Sequence, residues 1–242
     1  MFNFHTHHED TVPCLLNSRA EDVQTDGSGT VCSVGLHPWD VGEDYERRLS
    51  VLRCVAGYDN VWAIGECGMD KVRGGAFPLQ IEVFKIQVGV SEEVKKPLIV
   101  HCVKAYDELL AIRKEHVDRC KGCGREPLPW ILHGFRGKPE QAKQMMAKGM
   151  LLSFSHQYNI DSLRYAYEQA MLHTSASIEE QQYSVCSSDS LFTTCPFFLE
   201  TDDLRLSVRQ IYEQVGRHLG VDVCRLESLC DPRQTVFCRS CQ

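Results

Sequence analysis

Apolar residues recur along the chain in short, nearly continuous runs, and longer segments with helical periodicity separate most of these runs. Eight runs have the length and composition of β-strands, at residues 1–7, 12–16, 31–36, 61–65, 97–100, 129–132, 150–154 and 197–199. Continuous apolar strands are typical of a parallel sheet that helices cover on both faces. Strands and helices that alternate in this way over 242 residues predict an α/β fold, a (β/α)8 TIM barrel forming one domain over residues 1–242.

The helices between the strands are predicted from their apolar stripes and from their end residues. Pro139 is placed to begin a helix, because its missing N–H is not needed there, and Gly149 ends it. The final helix is predicted from the apolar stripe at 204–219. The pattern over 161–190 is partly helical without clear boundaries, and residues 26–29 predict a turn.

Side chains that commonly bind metal ions stand on or after these strands. His5 and His7 are two positions apart on the first strand and therefore point to the same side. Later strands are followed by His37, Glu66, His101, His133 and Asp202. Each residue alone has an ordinary role open to it, such as a surface histidine, a turn or a helix N-cap. Their joint position, at the strand ends where TIM barrels build active sites, predicts a metal site.

The set of six nitrogen and carboxylate donors suits two borderline divalent ions, Zn, Mg, Mn or Ni. The predicted ligands are His5, His7, Glu66, His101, His133 and Asp202. Glu66 is the predicted bridge between the ions, which would lower the pKa of a shared water and clamp both oxygens of a hydrolytic displacement. Asp202 is the predicted general base. Glu200 points to the same side of the last strand and is the competing candidate.

Six segments together resemble the TatD family of metal-dependent hydrolases, namely residues 3–7, 35–38, 64–70, 99–101, 133–135 and 200–202. The resemblance implies an amidohydrolase-like TIM barrel and divalent-metal hydrolysis of phosphodiesters, with deoxyribonuclease (exonuclease) activity on DNA or action on a small phosphodiester. It implies that one metal is bound by His5, His7, Glu66 and Asp202, and the second by Glu66, His101 and His133. It further implies that His37 lines the pocket and contacts a substrate phosphate.

The chain departs from the family pattern at three places. Asn3 stands where the family usually has Asp. Because that Asp is not normally a metal ligand, we expect the metal site to be kept. Val103-Lys104 stands where the family often has Arg-Asp, so Lys104 is left to bind phosphate as a point charge. The loop after Asp202 is predicted to be short, because the helical stripe begins at Leu204.

Basic residues after the strand ends are candidates for binding the substrate's phosphate. Arg136 is the strongest, because Gly134 and Gly137 on either side let backbone N–H groups approach an anion. Lys71 and Arg73 fit this role and that of solvated loop charges equally well.

Composition narrows the class of protein. The formal net charge of −7 disfavours a general nucleic-acid coat protein or a membrane-surface binder. The chain shows no signal peptide and no long apolar run, and its 13 cysteines are an odd number. These features predict reduced thiols in a cytoplasmic protein, with no membrane association and no obligate protein partner evident.

Two other functions remain open from the residues alone. Cys120 with Cys123, and Cys238 with Cys241, have zinc-knuckle spacing and could make a zinc-binding interaction module without catalysis. The same histidines and carboxylates could equally serve an amidohydrolase or lactonase that acts on a small molecule.

Overall fold

The computed structural model describes residues 1–24, 30–180 and 197–237. The strands are β1 (Asn3–Thr6), β2 (Cys14–Ser18), β3 (Cys32–Val34), β4 (Val61–Asp70), β5 (Leu98–Val103), β6 (Trp130–Leu132), β7 (Met150–Phe154) and β8 (Phe197–Leu199). The helices are α1 (Tyr45–Val55), α2 (Phe77–Val94), α3 (Tyr106–Gly122), α4 (Pro139–Ala147), α5 (Ile160–Glu180), α6 (Val208–Leu219) and α7 (Val223–Leu229). Short 3₁₀ helices span Ala20–Asp22, Pro38–Asp40 and Pro232–Gln234. All eight predicted strands are therefore confirmed.

The fold divides into two compact units. We call residues 7–9 and 15–133 the Glu66 unit, and residues 1–6, 10–14 and 134–242 the Asp202 unit. The prediction of one domain over the whole chain stays a prediction.

In the Glu66 unit, neighbouring strands from β2 to β6 pair in parallel and in chain order. The register pairs Ile64 with Leu98, and Leu98 with Trp130. These three side chains are fully buried. Phe84 of α2 packs against Trp130, with ring centroids 5.3 Å apart. The continuous apolar strands are thus covered by helices, as their composition predicts.

Three glycines bring the middle strands of this unit close together. A Cβ atom on Gly35 would lie 2.7 Å from the carbonyl oxygen of Glu66. A Cβ on Gly65, whose φ is +144°, would lie 2.5 Å from the Ile99 carbonyl oxygen. One on Gly68, whose φ is +142°, would overlap the carbonyl oxygen of His101. Gly65 and Gly68 combine the close approach with a positive φ, which favours glycine, whereas Gly35 is restricted by the close approach alone.

In the Asp202 unit, β7 pairs in parallel with β8, and a parallel bridge joins Thr6 to Asp202 just beyond β8. Phe4 of β1 stacks on Phe198 of β8 with ring centroids 4.2 Å apart. Asn3 donates through Nδ2 to Thr201 Oγ1 at 2.8 Å and accepts from the Thr201 main-chain N–H at 3.0 Å. Asn3 is therefore a buried link between β1 and the segment after β8.

Strands β4 and β5 are longer than predicted, and this changes where two candidate ligands lie. Glu66 and His101 are inside these strands, whereas we expected them just past the strand ends. The extra ladder pairs Gly68 with His101 and Asp70 with Val103. For Glu66 the expectation was wrong because Gly65 and Gly68 indicate a turn when only the local sequence is considered. For His101 it was wrong because pairing with the extended β4 continues β5 to Val103.

The C-terminal part also differs from expectation. Helix α6 begins at Val208, not at Leu204, because Ser207 and Gln210 form a capping box that fixes the start. The loop after Asp202 is therefore longer than predicted, and α7 follows what was expected to be the final helix. Helix α5 occupies most of the segment without predicted boundaries, and the turn predicted at 26–29 lies outside the described residues. Among the described helices, none combines the length and apolar character needed to cross a bilayer.

Candidate metal centre

The carboxylate of Glu66 is the centre of a cluster of imidazoles in the Glu66 unit. Its Oε1 atom lies 2.6 Å from Nε2 of His133 and 2.8 Å from Nδ1 of His101. His37 Nε2 is 3.1 Å from the same oxygen. On the other side, His7 Nε2 lies 3.4 Å from Oε2. The structure therefore brings four predicted site residues together around the carboxylate of a fifth.

Asn17 of β2 orients this carboxylate. Its Oδ1 accepts a hydrogen bond from the main-chain N–H of Glu66 at 3.0 Å. Its Nδ2 donates to Glu66 Oε2 at 3.4 Å. The sequence analysis missed Asn17, because nothing in its local pattern separates it from any other polar strand residue.

The environment of the cluster shifts the pKa values of two of its residues, Glu66 and His37. Burial raises the pKa of Glu66, but the opposing effects of His133, His101 and His37 outweigh it and hold this pKa well below its usual range. Burial lowers the pKa of His37, against the effect of Glu66, which raises it. The lowered pKa keeps Glu66 ionised at neutral pH, which is the form in which a carboxylate binds a divalent ion.

Two further observations fit a metal ion. One ligand atom from each of His37, Glu66 and His101 can be chosen so that all lie within 4.8 Å of one another. The Nε2 atom of His101 is buried and makes no hydrogen bond among the described residues. Nitrogen and carboxylate donors in this mixture suit Zn and similar borderline ions.

Asp70, at the end of β4, supports the cluster from one side. Its Oδ2 accepts from the indole Nε1 of Trp39 at 2.6 Å and lies 3.5 Å from Nε2 of His101. Its Oδ1 accepts from the main-chain N–H groups of Val72 and Arg73. Burial raises the pKa of Asp70, but these donors outweigh that effect and lower it. Asp70 was part of a motif in the sequence analysis but was given no role there.

In the Asp202 unit, the candidate ligands are His5 and Asp202. His5 is fully buried, and its Nε2 lies 3.8 Å from Oδ1 of Asp202. The main-chain N–H of Asp202 donates to the carbonyl oxygen of His5 at 3.0 Å. Asp202 has φ +57°, so the chain leaves the extended conformation at this residue. The two side chains predicted to share a metal are neighbours within this unit.

Glu200, the competing candidate for the base, is committed elsewhere. Its side chain is fully buried. It accepts a hydrogen bond from the main-chain N–H of Gly134 at 2.7 Å and another from the hydroxyl of Ser153. The hydrogen bond to Glu200 occupies the Gly134 N–H, which we expected from the sequence to be available to a substrate anion. Glu200 is thus an internal anchor for the turn after β6.

The predicted phosphate-binding residues lie at the surface. Lys104 is exposed directly after β5, with φ +53°. Arg136 is exposed and donates to Gln157 Oε1 at 2.9 Å. Lys71 pairs with Glu108 at 2.6 Å, which favours a structural loop charge over a phosphate ligand.

The alternative of a four-cysteine zinc site is not tested by the described residues. Cys120 is buried and Cys123 is exposed, while Cys238 and Cys241 lie outside the described residues. The Cys120 Sγ atom lies 3.7 Å from Nε2 of His116. His116 Nδ1 is in turn 3.2 Å from a guanidinium nitrogen of Arg119. Since arginine only donates, His116 Nδ1 accepts, and the ring is a structural link on α3.

The alternating strands and helices define the class as an α/β protein of the barrel type, in which histidines surround a buried carboxylate. The family model described as TatD related DNase matches residues 15–178. The chain therefore belongs to the TatD family, as the six sequence segments indicate.

Two curated relatives illustrate the family. The chain is 31% identical over 128 residues to the 3'-5' ssDNA/RNA exonuclease TatD of Cronobacter sakazakii, a match that covers 52% of this chain and 46% of the relative. It is 33% identical over 153 residues to YcfH of Escherichia coli K12, named an uncharacterized metal-dependent hydrolase, over 60% of this chain and 51% of the relative. The chain thus spans about half the length of the curated relatives it matches.

Solved structures give the same fold. The crystal structure of YJJV, a TatD homologue from Escherichia coli K12, superposes with a TM-score of 0.61 at 15% identity, over 90% of this chain and 82% of that one. A TatD family hydrolase from Entamoeba histolytica gives a TM-score of 0.58 at 14% identity, over 92% and 84% of the two chains. The predicted (β/α)8 fold class is confirmed.

Proposed function

We propose that this protein is a divalent-metal-dependent phosphodiesterase that degrades single-stranded DNA or RNA as an exonuclease. The observation that carries the proposal is the Glu66 carboxylate, buried and approached by four imidazole nitrogens within 3.4 Å. A cluster of this kind fits a hydrolytic metal centre better than a structural zinc site, which is usually closed by cysteine thiolates. The exonuclease name of the Cronobacter sakazakii relative supports the substrate class.

The proposed ligands follow the family motifs. His5, His7, Glu66 and Asp202 would hold one divalent ion, and Glu66, His101 and His133 the other. The ions, whether Zn, Mg, Mn or Ni, would supply Lewis-acid activation of water and neutralise charge on the phosphodiester. Glu66 is held in position by Asn17, so its two oxygens face different histidines.

The remaining residues act on the proton and on the phosphate. Asp202 is the proposed general base, which takes a proton from the attacking water as the water oxygen bonds to phosphorus. It then passes this proton to the leaving oxygen as the ester P–O bond breaks. Glu66 is a poor base because its oxygens already face imidazoles. His37, Lys104 and Arg136 are the proposed contacts to the substrate phosphate.

We also propose a cytoplasmic location. The nine cysteines among the described residues form no disulfide bond with one another. A thiol-rich chain of this kind is typical of a reducing compartment.

The proposal is tested with a substrate panel. Purified protein supplied with Mg, Mn, Zn or Ni is assayed on single-stranded oligonucleotides labelled at either end, on duplex DNA, and on lactones and amides. We expect progressive shortening of the single strands. Glu66→Gln should abolish this activity, while His8→Ala, at an exposed histidine beside His7, should retain it.

Two results would overturn the proposal. Turnover of a lactone or amide without any shortening of oligonucleotides would favour a small-molecule amidohydrolase. Shortening that persists unchanged in Glu66→Gln would show that the measured nuclease does not use this centre.

A further inference from the structure

Trp39 is a large aromatic side chain that the fold holds at the surface. Its exposed fraction is 41%. It belongs to the 3₁₀ helix Pro38–Asp40, directly after His37, whose Nδ1 accepts the Trp39 main-chain N–H at 3.1 Å. The indole meets the ring of His37 edge-on at 4.7 Å and that of His101 at 5.6 Å. An exposed aromatic ring therefore adjoins two histidines of the candidate metal centre.

The indole is fixed in this exposed position. Its Nε1 donates to Asp70 Oδ2 at 2.6 Å, a short bond to a charged acceptor. The guanidinium carbon of Arg73 lies 3.8 Å from the ring centroid, which places the cation over one face. The ring is thus pre-organised before any ligand binds.

The loop that carries Arg73 is fixed as well. The Val72 and Arg73 N–H groups donate to Asp70 Oδ1 at 2.7 and 3.1 Å. Gln80, which is buried, accepts from the Asp70 N–H at 2.8 Å and donates to the Gly75 carbonyl at 2.8 Å. These hydrogen bonds define the course of the loop from both sides.

Two glycines allow this loop to pack closely against the segment that carries Trp39. A Cβ atom on Gly74, whose φ is +101°, would overlap the carbonyl oxygen of Pro38. One on Gly75 would overlap the carbonyl oxygen of Val41. The close approach that brings Arg73 over the indole therefore depends on residues without side chains.

Lys71 and Arg73, the two basic residues of the loop, differ in whether a carboxylate pairs with them. Lys71 is paired with Glu108 at 2.6 Å. No carboxylate within the described part of the chain forms an ion pair with Arg73. An exposed cation on an exposed indole, without an acidic partner, can accept an anionic aromatic ligand.

We propose that Trp39 and Arg73 form a stacking subsite for one unpaired nucleobase of a single-stranded nucleic acid. The inference rests on the proposed function, whose phosphodiester centre includes the neighbouring His37 and His101. Bases stack on aromatic rings and on guanidinium planes alike, whatever their identity. A base held in a duplex keeps its faces covered by its neighbours, so the subsite selects unpaired strands.

The test measures binding without added metal, so that it does not depend on hydrolysis. Labelled single-stranded oligonucleotides are titrated with wild type, Trp39→Ala, Trp39→Phe and Arg73→Gln, and with Val72→Ala as an exposed control in the same loop. The same set is titrated with an oligonucleotide that contains abasic positions at its 3' end. Stacking on one base predicts that Trp39→Ala weakens binding about 5- to 100-fold on the normal strand. Trp39→Phe should recover most of the affinity, and the abasic strand should bind all variants alike.

The abasic strand separates stacking from a disturbed site. If Trp39→Ala weakens both strands equally, or weakens neither, the subsite is wrong. A second measurement follows quenching of tryptophan fluorescence by the unlabelled strand, which should be lost in Trp39→Ala. If base-dependent binding is found but no metal supports hydrolysis, the proposed function fails and the subsite stands. If oligonucleotides are shortened equally by wild type and Trp39→Ala, the function stands and the subsite fails.

Discussion

His5 Nε2 lies 3.8 Å from Asp202 Oδ1, while the main chains of the same two residues are joined by a hydrogen bond of 3.0 Å. The backbone link fixes the pair, and the side-chain distance is too long for a hydrogen bond. The distance of 3.8 Å between the two side chains suits two donor atoms that bind the same metal ion. Asp202 is also the more exposed of the two, with 28% of its side chain accessible, which supports its proposed role as a base that meets water.

The first prediction compares Asp202 with Glu200. Asp202→Asn keeps the size and removes the basicity, so kcat on a phosphodiester should fall roughly 10²- to 10⁴-fold at saturating metal. Glu200→Gln can still accept from Gly134 and can donate to Ser153, so kcat should remain near wild type. The weaker, uncharged hydrogen bonds should lower the free energy of unfolding by about 1 kcal/mol.

Steady-state kinetics and denaturant unfolding of both variants decide between the two carboxylates. If Asp202→Asn keeps its kcat while Glu200→Gln loses it, the general base is Glu200.

The second prediction concerns metal content. Purified protein equilibrated with metal should hold about two divalent ions per chain, as a two-metal hydrolase requires. His7→Ala removes a donor 3.4 Å from Glu66 Oε2 and should lower the content to about one. His8→Ala, at the adjacent exposed position, should leave it at about two. Elemental analysis after removal of free metal measures this, and a wild-type value of zero would contradict the binuclear centre.

The third prediction concerns Asp70 as a positioning residue. Asp70→Asn weakens the acceptor for Trp39 and removes the charge 3.5 Å from His101 Nε2. Loss of such a partner of a metal-binding histidine typically lowers metal affinity or activity 10- to 100-fold, and we expect about that decrease. The control is Asp107→Asn, an exposed acid at the start of α3. Equal activity and equal metal affinity in both variants would show that Asp70 does not support the centre.

The fourth prediction is a pH dependence of stability that comes from Lys96. Its Nζ donates to the carbonyl oxygens of Ala56 and Tyr58 at 2.6 and 2.8 Å. Burial lowers its pKa to about 8, against the opposing charges of Asp59 and Cys32. The unfolded chain, with a pKa of about 10.4, therefore binds this proton more tightly than the folded protein.

The sign follows from that difference. The stability of wild type relative to Lys96→Met should be lowest below about pH 8 and should rise between about pH 8 and pH 10.4. Denaturant unfolding of both proteins across this range gives the difference directly. A difference that stays constant or falls with pH would contradict the lowered pKa.

Much of the fold could be predicted because most strands contain a short, nearly continuous apolar run. The positions of Glu66 and His101 within their strands could not. Gly65 and Gly68 indicate a turn locally, and only the close approach of neighbouring strands makes glycine suitable inside β4. The start of α6 was missed for a different reason, because the apolar Leu204 hides the capping signal at Ser207.

Some residues of the candidate site could be predicted from the sequence and others could not. The histidines could be predicted as candidates, because metal ligands have recognisable chemistry and each of these residues stands on or after an apolar strand run. Asn17 and Asp70 could not, because their partners lie across the fold, as in the bond between Asn17 and the Glu66 N–H. Glu200 and Asp202 could not be separated, because alternation along a strand gives both the same direction. The φ of +57° at Asp202 ends that alternation.

The close approach at Gly35, Gly65 and Gly68 has a consequence for natural and laboratory variation. These residues offer no ligand atom, yet any side chain there would collide with the main chain of Glu66, Ile99 or His101. In a library of random substitutions sorted by activity, the three glycines should be as intolerant of replacement as the histidines. A map of intolerant positions would then contain both the metal-ligand candidates and the glycines that set the spacing of the strands. Only the residue type, a side chain with or without a ligand atom, would distinguish these two groups.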